Sequence, residues 1–335
     1  MSELVINQAI LHVYDFLSGT VAPSENVLNL EDKWIQGYLN SIVRRCHYDT
    51  RIQEGSFHSD STFLKLYEDF EAEGCSFVEY SQKTGEYVSE YLKSTDGQSY
   101  DILFVDYRMD ESPYIGMYLL ENQKAYTHFC GADSTGNINN TIQYHSCVLP
   151  SGSRKISSYA LLKTISHEVS FCDDTKWTLG DVQVMKDLIL ACDSKRSHKE
   201  VMLDVQEVVS EVAEKCDENP TILLSRYKNY VQNALQETDA VSVEDLAVHV
   251  FNDSKKLQDT FISTSMEHDL PQQLPVSSHT VRSTMKNQKI RTDTGIELTF
   301  PTEYFENPDL IEFINHPDGT ISIEIKKIGK ITNRK

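Results

Sequence analysis

In the first part of the chain, the spacing of hydrophobic and polar positions changes between the pattern typical of strands and the pattern typical of helices. Residues 6–16 form an apolar run with the composition of a strand. After Asn29, the predicted N-cap, apolar residues recur at helical spacing, and two more helical runs lie at 63–70 and 77–92. Four strand-like runs follow, at residues 102–107, 114–120, 125–130 and 142–149. This pattern predicts an antiparallel sheet with helices packed on it.

The pattern of the remaining residues predicts helices and then a small β unit. Helical spacing returns over residues 178–266, with Thr178 and Asp181 as the predicted capping pair. One stripe in this region predicts core-facing side chains at Met202, Val205, Val208, Val209 and Val212. Residues 268–285 are rich in Pro, Ser, Gln and Thr, which is typical of a linker. Alternating apolar residues then predict two strands, with Ile296, Leu298 and Phe300 on one face and Ile321, Ile323 and Ile325 on another, across a turn at 317–319.

These elements predict an α+β protein with more than one core, because single hydrophobic cores usually stop growing at about 250 to 300 residues. We expect an N-terminal domain at 1–170, in which an antiparallel sheet carries helices. A helical region at 171–267 follows. A linker at 268–287 then leads to a C-terminal β unit with a basic tail at 288–335.

Composition places the chain among folded globular proteins, because apolar residues make up 39% and aromatic residues 10% of it. The first residues carry no basic segment, and no window approaches the apolar length of a membrane span. The seven cysteines have no framework spacing, which is typical of free thiols. We therefore expect a cytoplasmic protein without disulfide bonds or contact with a membrane.

Charge argues against nucleic acid as a partner for most of the chain, since 31 basic and 51 acidic residues give a net charge of −20. The distribution is uneven. Residues 280–335 contain nine basic and eight acidic residues, which leaves 22 and 43 in the first 279. The C-terminal segment is therefore nearly neutral on an acidic body.

Two basic clusters border the C-terminal strands, and neither contains an acidic residue. Together they predict a DNA-binding patch of Lys286, Lys289, Arg291, Lys326, Lys327, Lys330, Arg334 and Lys335. Such a patch would contact phosphates without sequence preference, with an affinity that falls as salt rises. The alternative is a solvated tail that balances neighbouring acids. A secondary basic surface is predicted at Arg154, Lys155 and Lys163.

Candidate catalytic and metal-binding residues give weaker predictions. His128 with Cys130, and His145 with Cys147, would each share a strand face, but zinc ligands more often lie on turns. Asp318 and Glu324 resemble a nuclease pattern, yet six strand residues would separate them by about 20 Å. No nucleophile elbow or phosphate-binding glycine loop is present. We therefore expect a protein that is not an enzyme and needs no metal or cofactor.

Several stretches in the same order resemble one family over essentially the whole chain. They are Ile6-Asn-Gln-Ala-Ile-Leu-His12, Asn139-Asn140 leading into 148–156, Lys289-Ile-Arg-Thr-Asp-Thr-Gly-Ile-Glu-Leu298 and the segment 311–323. These residues resemble the bacterial nucleoid-associated protein family of the NdpA type. The resemblance implies a cytoplasmic bacterial protein of the nucleoid, with no defined enzymatic activity or cofactor. It does not supply a set of binding residues.

Two hypotheses for function follow. The first is a nucleoid-associated protein that binds duplex DNA non-specifically through the local basic patch. The second is an acidic interaction protein that docks onto a basic or DNA-bound protein, in one form by mimicking the charge of DNA, without touching DNA itself. A homodimer is a further hypothesis, because symmetry would double a weak patch and increase avidity on a long duplex.

Overall fold

The computed structural model describes residues 3–16, 19–93, 100–132, 134–173, 178–234, 238, 240–252, 254–276, 285, 287–305, 307–316, 320–330 and 332. The chain divides into two units, residues 1–196 and 197–335. The four predicted segments have other boundaries, at residues 170, 267 and 287, and they stay a prediction about which parts fold independently.

The first unit contains helices α1 Lys33–His47, α2 Thr62–Glu71 and α3 Phe77–Leu92, and a π-helical turn at Val184–Leu190. Its strands are β1 Leu4–Asp15, β2 Thr20–Ala22, β3 Gln53–Phe57, β4 Tyr100–Met109, β5 Ser112–Glu121, β6 Gln123–Ala132, β7 Ile138–Val148, β8 Ser158–Lys163, β9 Glu168–Cys172, β10 Thr178–Leu179, β11 Val182–Gln183 and β12 Cys192–Ser194.

Eight strands of this unit form one sheet in the order β12-β3-β9-β8-β5-β4-β1-β2, with every pair antiparallel. Helix α1 buries Leu39 and Ile42 against one face of the sheet. Helices α2 and α3 and the π-helical turn cover the other face, where Phe63 and Tyr80 lie in the core. Because both faces are covered, strand β4 is apolar along most of its length instead of alternating. The predicted α+β class with an antiparallel sheet is confirmed.

The first helix starts three residues later than its sequence predicted. Asp32 is its N-cap, and the Asp32 carboxylate accepts hydrogen bonds from the backbone N–H groups of Trp34 and Ile35 at 2.8 and 3.3 Å. Asn29 instead accepts a bond from the Glu31 N–H at 3.0 Å, so it closes a turn before the helix. A carboxylate is favoured at this position because it also complements the positive end of the helix dipole.

The prediction of a helix with a capping pair at residues 178–181 is wrong. Thr178 pairs with Gln183 and Leu179 with Val182, so strands β10 and β11 form a tight hairpin. Gly180 at its tip has φ +65°, a conformation that favours glycine. The dipeptide Gly180-Asp181 is a recognised signal for a two-residue hairpin turn, and this local signal outweighs the helical spacing around it.

The second unit contains helices α4 His198–Lys215, α5 Pro220–Ala234, α6 Val243–Val250 and α7 Lys255–Glu267, and a 3₁₀ turn at Thr302–Tyr304. Its strands are β13 Ala240–Ser242, β14 Gln273–Pro275, β15 Asn287–Arg291, β16 Glu297–Pro301, β17 Ile311–Asn315 and β18 Ile321–Ile325. The predicted stripe on α4 is confirmed as core, since Val205, Val208 and Val212 are buried. Within the described residues, no helix is long and apolar enough to cross a membrane.

The segment predicted as a linker takes part in this core where it is described. Strand β14 pairs with β13, and Leu270, Leu274, Val276 and Met285 are all buried against the helices. Residues 277–284 and 286 lie outside the described residues.

The predicted C-terminal strands form two hairpins, β15 with β16 and β17 with β18. The ring of Phe305 lies 6.4 Å from that of Phe300 and 4.6 Å from that of Phe313, so the two hairpins share one aromatic cluster. Ile321 and Ile325 remain about half exposed, and the predicted turn at 317–319 lies outside the described residues.

Candidate nucleic-acid interface

The predicted DNA-binding residues lie on the outer side of the two C-terminal hairpins. Lys289 and Arg291 are exposed on β15, whereas Gln288, the residue before Lys289, is buried on the inner face opposite Phe300. Period-two geometry alone produces this separation. The second cluster begins directly after β18 and runs through residues 326–330. Of the predicted patch, Lys286, Arg334 and Lys335 lie outside the described residues.

Most of the described cations are already paired with carboxylates of the same unit. Lys326 Nζ forms an ion pair with Glu312 and lies 3.9 Å from Glu324, the strand residue of the nuclease-like pattern. The hydrogen bond to Glu312 raises the pKa of Lys326 above its ordinary value. Lys327 Nζ lies 2.9 Å from the Asp309 carboxylate. Asp318, the other acid of the nuclease-like pattern, lies outside the described residues.

The remaining described cations do not outnumber the acidic residues around them. Arg291 faces Glu297 on the neighbouring strand at 3.8 Å. Lys289 and Lys330 are exposed and form no ion pair with any described residue. Among the described residues of 287–332 there are five cations and six acids. The described part of the predicted patch is therefore balanced in charge.

The secondary basic surface is organised around helix α1, which the sequence did not indicate. The loop that carries Arg154 and Lys155 packs on this helix, because the Tyr38 hydroxyl donates to the Pro150 carbonyl at 2.9 Å. Arg45 Nε also donates to the carbonyl of Gly152 at 3.4 Å. The sequence did offer one indication of Arg45, because basic residues cluster in the last turn of the predicted helix α1.

Lys155 also affects an acid beneath this loop. Burial alone would raise the pKa of Asp49, but hydrogen bonds from Arg51 and the charges of Arg51 and Lys155 hold that pKa below its ordinary value. Arg51 Nη2 in turn lies 2.6 Å from the Asp49 carboxylate and donates to the Ile156 carbonyl at 2.7 Å. The loop is therefore anchored through charged groups at its end.

Lys163 belongs to a different feature, a polar cleft of about 350 Å³ in the first unit. Lys195 lines the same cleft, and so do the carboxyl groups of Glu54, Glu168 and Asp193. Three acids surround two lysines, so this cleft does not offer the excess of positive charge that an extended phosphate backbone requires.

Comparison with protein families identifies the family of the chain. Residues 10–332 match the family described as nucleoid-associated protein YejK. The chain belongs to this family. The predicted nucleoid-associated family is thereby confirmed, and membership supports the nucleoid as the place of action. A search of curated proteins finds no sequence that matches the chain.

In this YejK-family protein, the four candidate zinc ligands do not converge. Strands β6 and β7 pair Tyr126 with Tyr144 and His128 with Ile142, so even-numbered residues of the two strands share one face and odd-numbered residues share the other. His128 and Cys130 therefore lie on one face of the ribbon, while His145 lies on the other, opposite Ala125.

The second predicted pair has other partners. His145 Nε2 lies 2.9 Å from the Thr127 hydroxyl, and Cys147 Sγ lies 3.0 Å from the Asp15 carboxylate. The hydrogen bond to Asp15 raises the pKa of the Cys147 thiol, which opposes formation of a metal-binding thiolate. Across the described parts of the chain, no group of three or more His, Cys, Asp and Glu side chains could hold a metal ion.

Proposed function

We propose that this YejK-family protein is a non-enzymatic component of the nucleoid that attaches by docking onto a basic, DNA-bound protein. The observation that carries the proposal is the charge balance of the C-terminal β unit. Lys326 and Lys327 contact Glu312 and Asp309 of their own unit, and Arg291 faces Glu297. Cations held in this way add little positive potential for a duplex.

The size of the expected DNA contact supports this assignment. Each phosphate neutralised by Lys or Arg contributes about −0.9 to the slope of log affinity against log salt, and effective non-specific binders make about six to ten such contacts. Lys289 and Lys330, the two described cations of the patch without an ion pair, would give a slope of only about −2.

The acidic body adds a second argument. Exposed charges act over about 8 Å at physiological salt, so the local balance around a contact decides whether a phosphate is attracted. A net charge of −20 does favour association with a cationic protein surface, and it increases the rate of that encounter.

Direct contact with duplex DNA is the second candidate, and the surface around α1 favours it. Arg45 joins Arg154 and Lys155 at one loop, whereas Lys163, the third residue predicted for this surface, lines the polar cleft. Exposed ion pairs contribute only about 0 to 1 kcal/mol, so lysines of the C-terminal patch could also exchange a carboxylate for a phosphate. The full set of Lys286, Lys289, Arg291, Lys326, Lys327, Lys330, Arg334 and Lys335 stays a prediction.

Sedimentation with isolated bacterial nucleoids separates the two candidates. The intact protein should co-sediment with nucleoids that retain their proteins and should remain in solution with the same DNA after its proteins are stripped. Equal binding to stripped DNA would replace the first candidate with the second. Failure to bind either preparation would contradict both.

A charge-reversal set locates any direct contact. Lys289→Glu with Lys330→Glu replaces the two described cations of the patch that have no ion pair, and Arg45→Glu with Arg154→Glu tests the α1 surface. Under the docking proposal, neither pair reduces binding to protein-containing nucleoids. A loss confined to one pair would identify that surface as the DNA contact.

A further inference from the structure

Strands β6 and β7 form an isolated two-stranded ribbon, here called the arm, that neither core of the first unit covers. Its residues are exposed on both faces along almost the whole length. On the even-numbered face, four large apolar side chains are open to solvent. Tyr126 is 73% exposed, Ile138 82%, Ile142 75% and Tyr144 52%. Strand pairing places all four on this one face.

An arm of this kind is unfavourable when it is left uncovered. A two-stranded hairpin is marginally stable in water, and its unpaired edges invite further pairing. Proteins usually protect exposed edges with charged residues or proline. Residues 123–148 contain no proline, and their only charged residues are Lys124 and Asp133, whereas 24% of the whole chain is charged. The sequence therefore leaves the arm almost without charge instead of protecting its edges.

We propose that the arm is a self-association surface, and that its apolar face packs against the same face of a second copy of this chain. The charge distribution decides the occupant. Duplex DNA would require several cations, and the arm has only Lys124. A basic partner would require acids, and the arm has only Asp133.

A second copy matches the arm in a way that those partners do not. Two bodies of net charge −20 repel each other, and a contact surface with almost no charge adds no local repulsion of its own. The arm is such a surface. A two-fold axis through it would bring the same apolar side chains together from both copies, as an isologous interface requires.

The dimensions of the arm predict a weak dimer. Strands of 10 and 11 residues extend for about 33 Å, and two paired strands are about 10 Å wide. One face therefore offers on the order of 300 Å² per copy, below the roughly 800 Å² per partner of a standard interface. Association should depend on concentration. It should also strengthen with salt, because salt screens the repulsion between the acidic bodies and leaves the apolar contact intact.

Sedimentation velocity of the full chain, over a wide concentration range at low and high salt, tests the proposal. The parent should shift from monomer to dimer as concentration and salt rise. Ile138→Lys with Ile142→Lys places charge on the apolar face and should raise the dimer dissociation constant by about tenfold or more. The matched control is Ile165→Lys, because Ile165 is 76% exposed on a turn outside the arm. This control should dimerise like the parent.

Alkylation of Cys130 gives a second readout, because this exposed thiol lies on the same face as Tyr126 and Ile142. Its reaction with iodoacetamide, followed by peptide mass spectrometry, should slow as the parent concentration rises and should not slow in the Ile138→Lys, Ile142→Lys variant. A parent that stays monomeric throughout, or an arm variant that dimerises as well as the parent, would overturn the proposal. Protection of Cys130 by duplex DNA alone would overturn it in favour of a nucleic-acid contact.

Discussion

Glu312 and Glu324 lie directly opposite each other on strands β17 and β18, and both carboxylates are within ion-pair distance of one ammonium group. Like charges opposed across an antiparallel pair are destabilising. Lys326 supplies the ammonium group and compensates the repulsion. A lysine that the sequence presented as a phosphate contact therefore has a structural role in this hairpin.

Replacement of this lysine should loosen the hairpin. In Lys326→Gln, we expect faster hydrogen exchange of the amides of residues 311–315 and 321–325, while co-sedimentation with nucleoids is unchanged. Lys330→Gln is the matched control, since Lys330 has no ion pair with a described residue. If both variants exchange alike, the compensating role is refuted.

The pH dependence of this effect has a definite sign. The pKa of Lys326 is raised in the folded protein, mainly by its hydrogen bond to Glu312. A base with a raised pKa stabilises the fold below its unfolded pKa, and this contribution is lost as pH rises through the folded value. The difference between parent and Lys326→Gln should persist at neutral pH and disappear only in strongly alkaline solution.

A buried histidine should make the first unit less stable in mild acid. Burial lowers the pKa of His12 from 6.5 to about 4. Its Nδ1 accepts a hydrogen bond from the Ser24 N–H at 2.9 Å and must be unprotonated to do so, while Nε2 lies 3.1 Å from the Ser81 hydroxyl. Because the unfolded state binds the proton more readily, stability should fall as pH decreases from about 6.5 to about 4.

The magnitude follows from the shift, at about 1.4 kcal/mol per pKa unit, so the loss is on the order of 3 kcal/mol. Urea unfolding measured across this pH window checks it. His12→Asn should be less stable at neutral pH but should show a flatter dependence on pH. The exposed His198→Asn control should keep the shape of the parent curve. A parent curve with no slope in the window would contradict the prediction.

Two helical glycines should respond in opposite directions to the same substitution. A Cβ at Gly85 of α3 would lie 2.8 Å from the hydroxyl of Tyr14, so Gly85→Ala forces a buried ring to move and should cost about 1 to 3 kcal/mol. A Cβ at Gly37 of α1 would meet nothing within 4 Å, so Gly37→Ala should stabilise by about 0.5 to 1 kcal/mol. Thermal unfolding of both variants measures the difference. Equal shifts in unfolding temperature for the two variants would show that the close contact between α3 and β1 does not make Gly85→Ala unfavourable.

Salt should affect the two proposed associations in opposite ways. Docking of the acidic body onto a basic nucleoid protein weakens as salt rises, whereas pairing of the uncharged arms strengthens. Nucleoid co-sedimentation and sedimentation velocity over one salt series compare them. If the Ile138→Lys, Ile142→Lys variant loses the dimer but retains nucleoid binding, the two surfaces are independent. Parallel loss of both on raising salt would contradict the apolar nature of the arm contact.

Local signals in the sequence were sufficient for much of the fold. The apolar spacing of α2 and α3, the strand-like runs of β4 and β5 and the valine stripe of α4 each predicted an element that the structure contains. These patterns reflect periods of two and 3.6 residues and need no distant contact. Their failure at Thr178 and Asp181 arose where a turn signal and a helical period overlapped.

The candidate site depended on strand register, which local patterns do not specify. The zinc hypothesis required the pair His128 and Cys130 to share a face with the pair His145 and Cys147, but the observed register places the two pairs on opposite faces. A shift of one residue would exchange every side chain between faces. In the same way, only the pairing of β17 with β18 brought the Glu312 carboxylate to Lys326.

The sequence by itself determined the family, the α+β class and the uneven distribution of charge, because these follow from the order and identity of residues. Only the tertiary structure decided which cations have carboxylate partners and which apolar residues remain exposed. Lys326 and Ile142 illustrate why. The partner of Lys326 lies 14 residues away along the chain, and Ile142 is exposed because no described element of the first unit covers its strand.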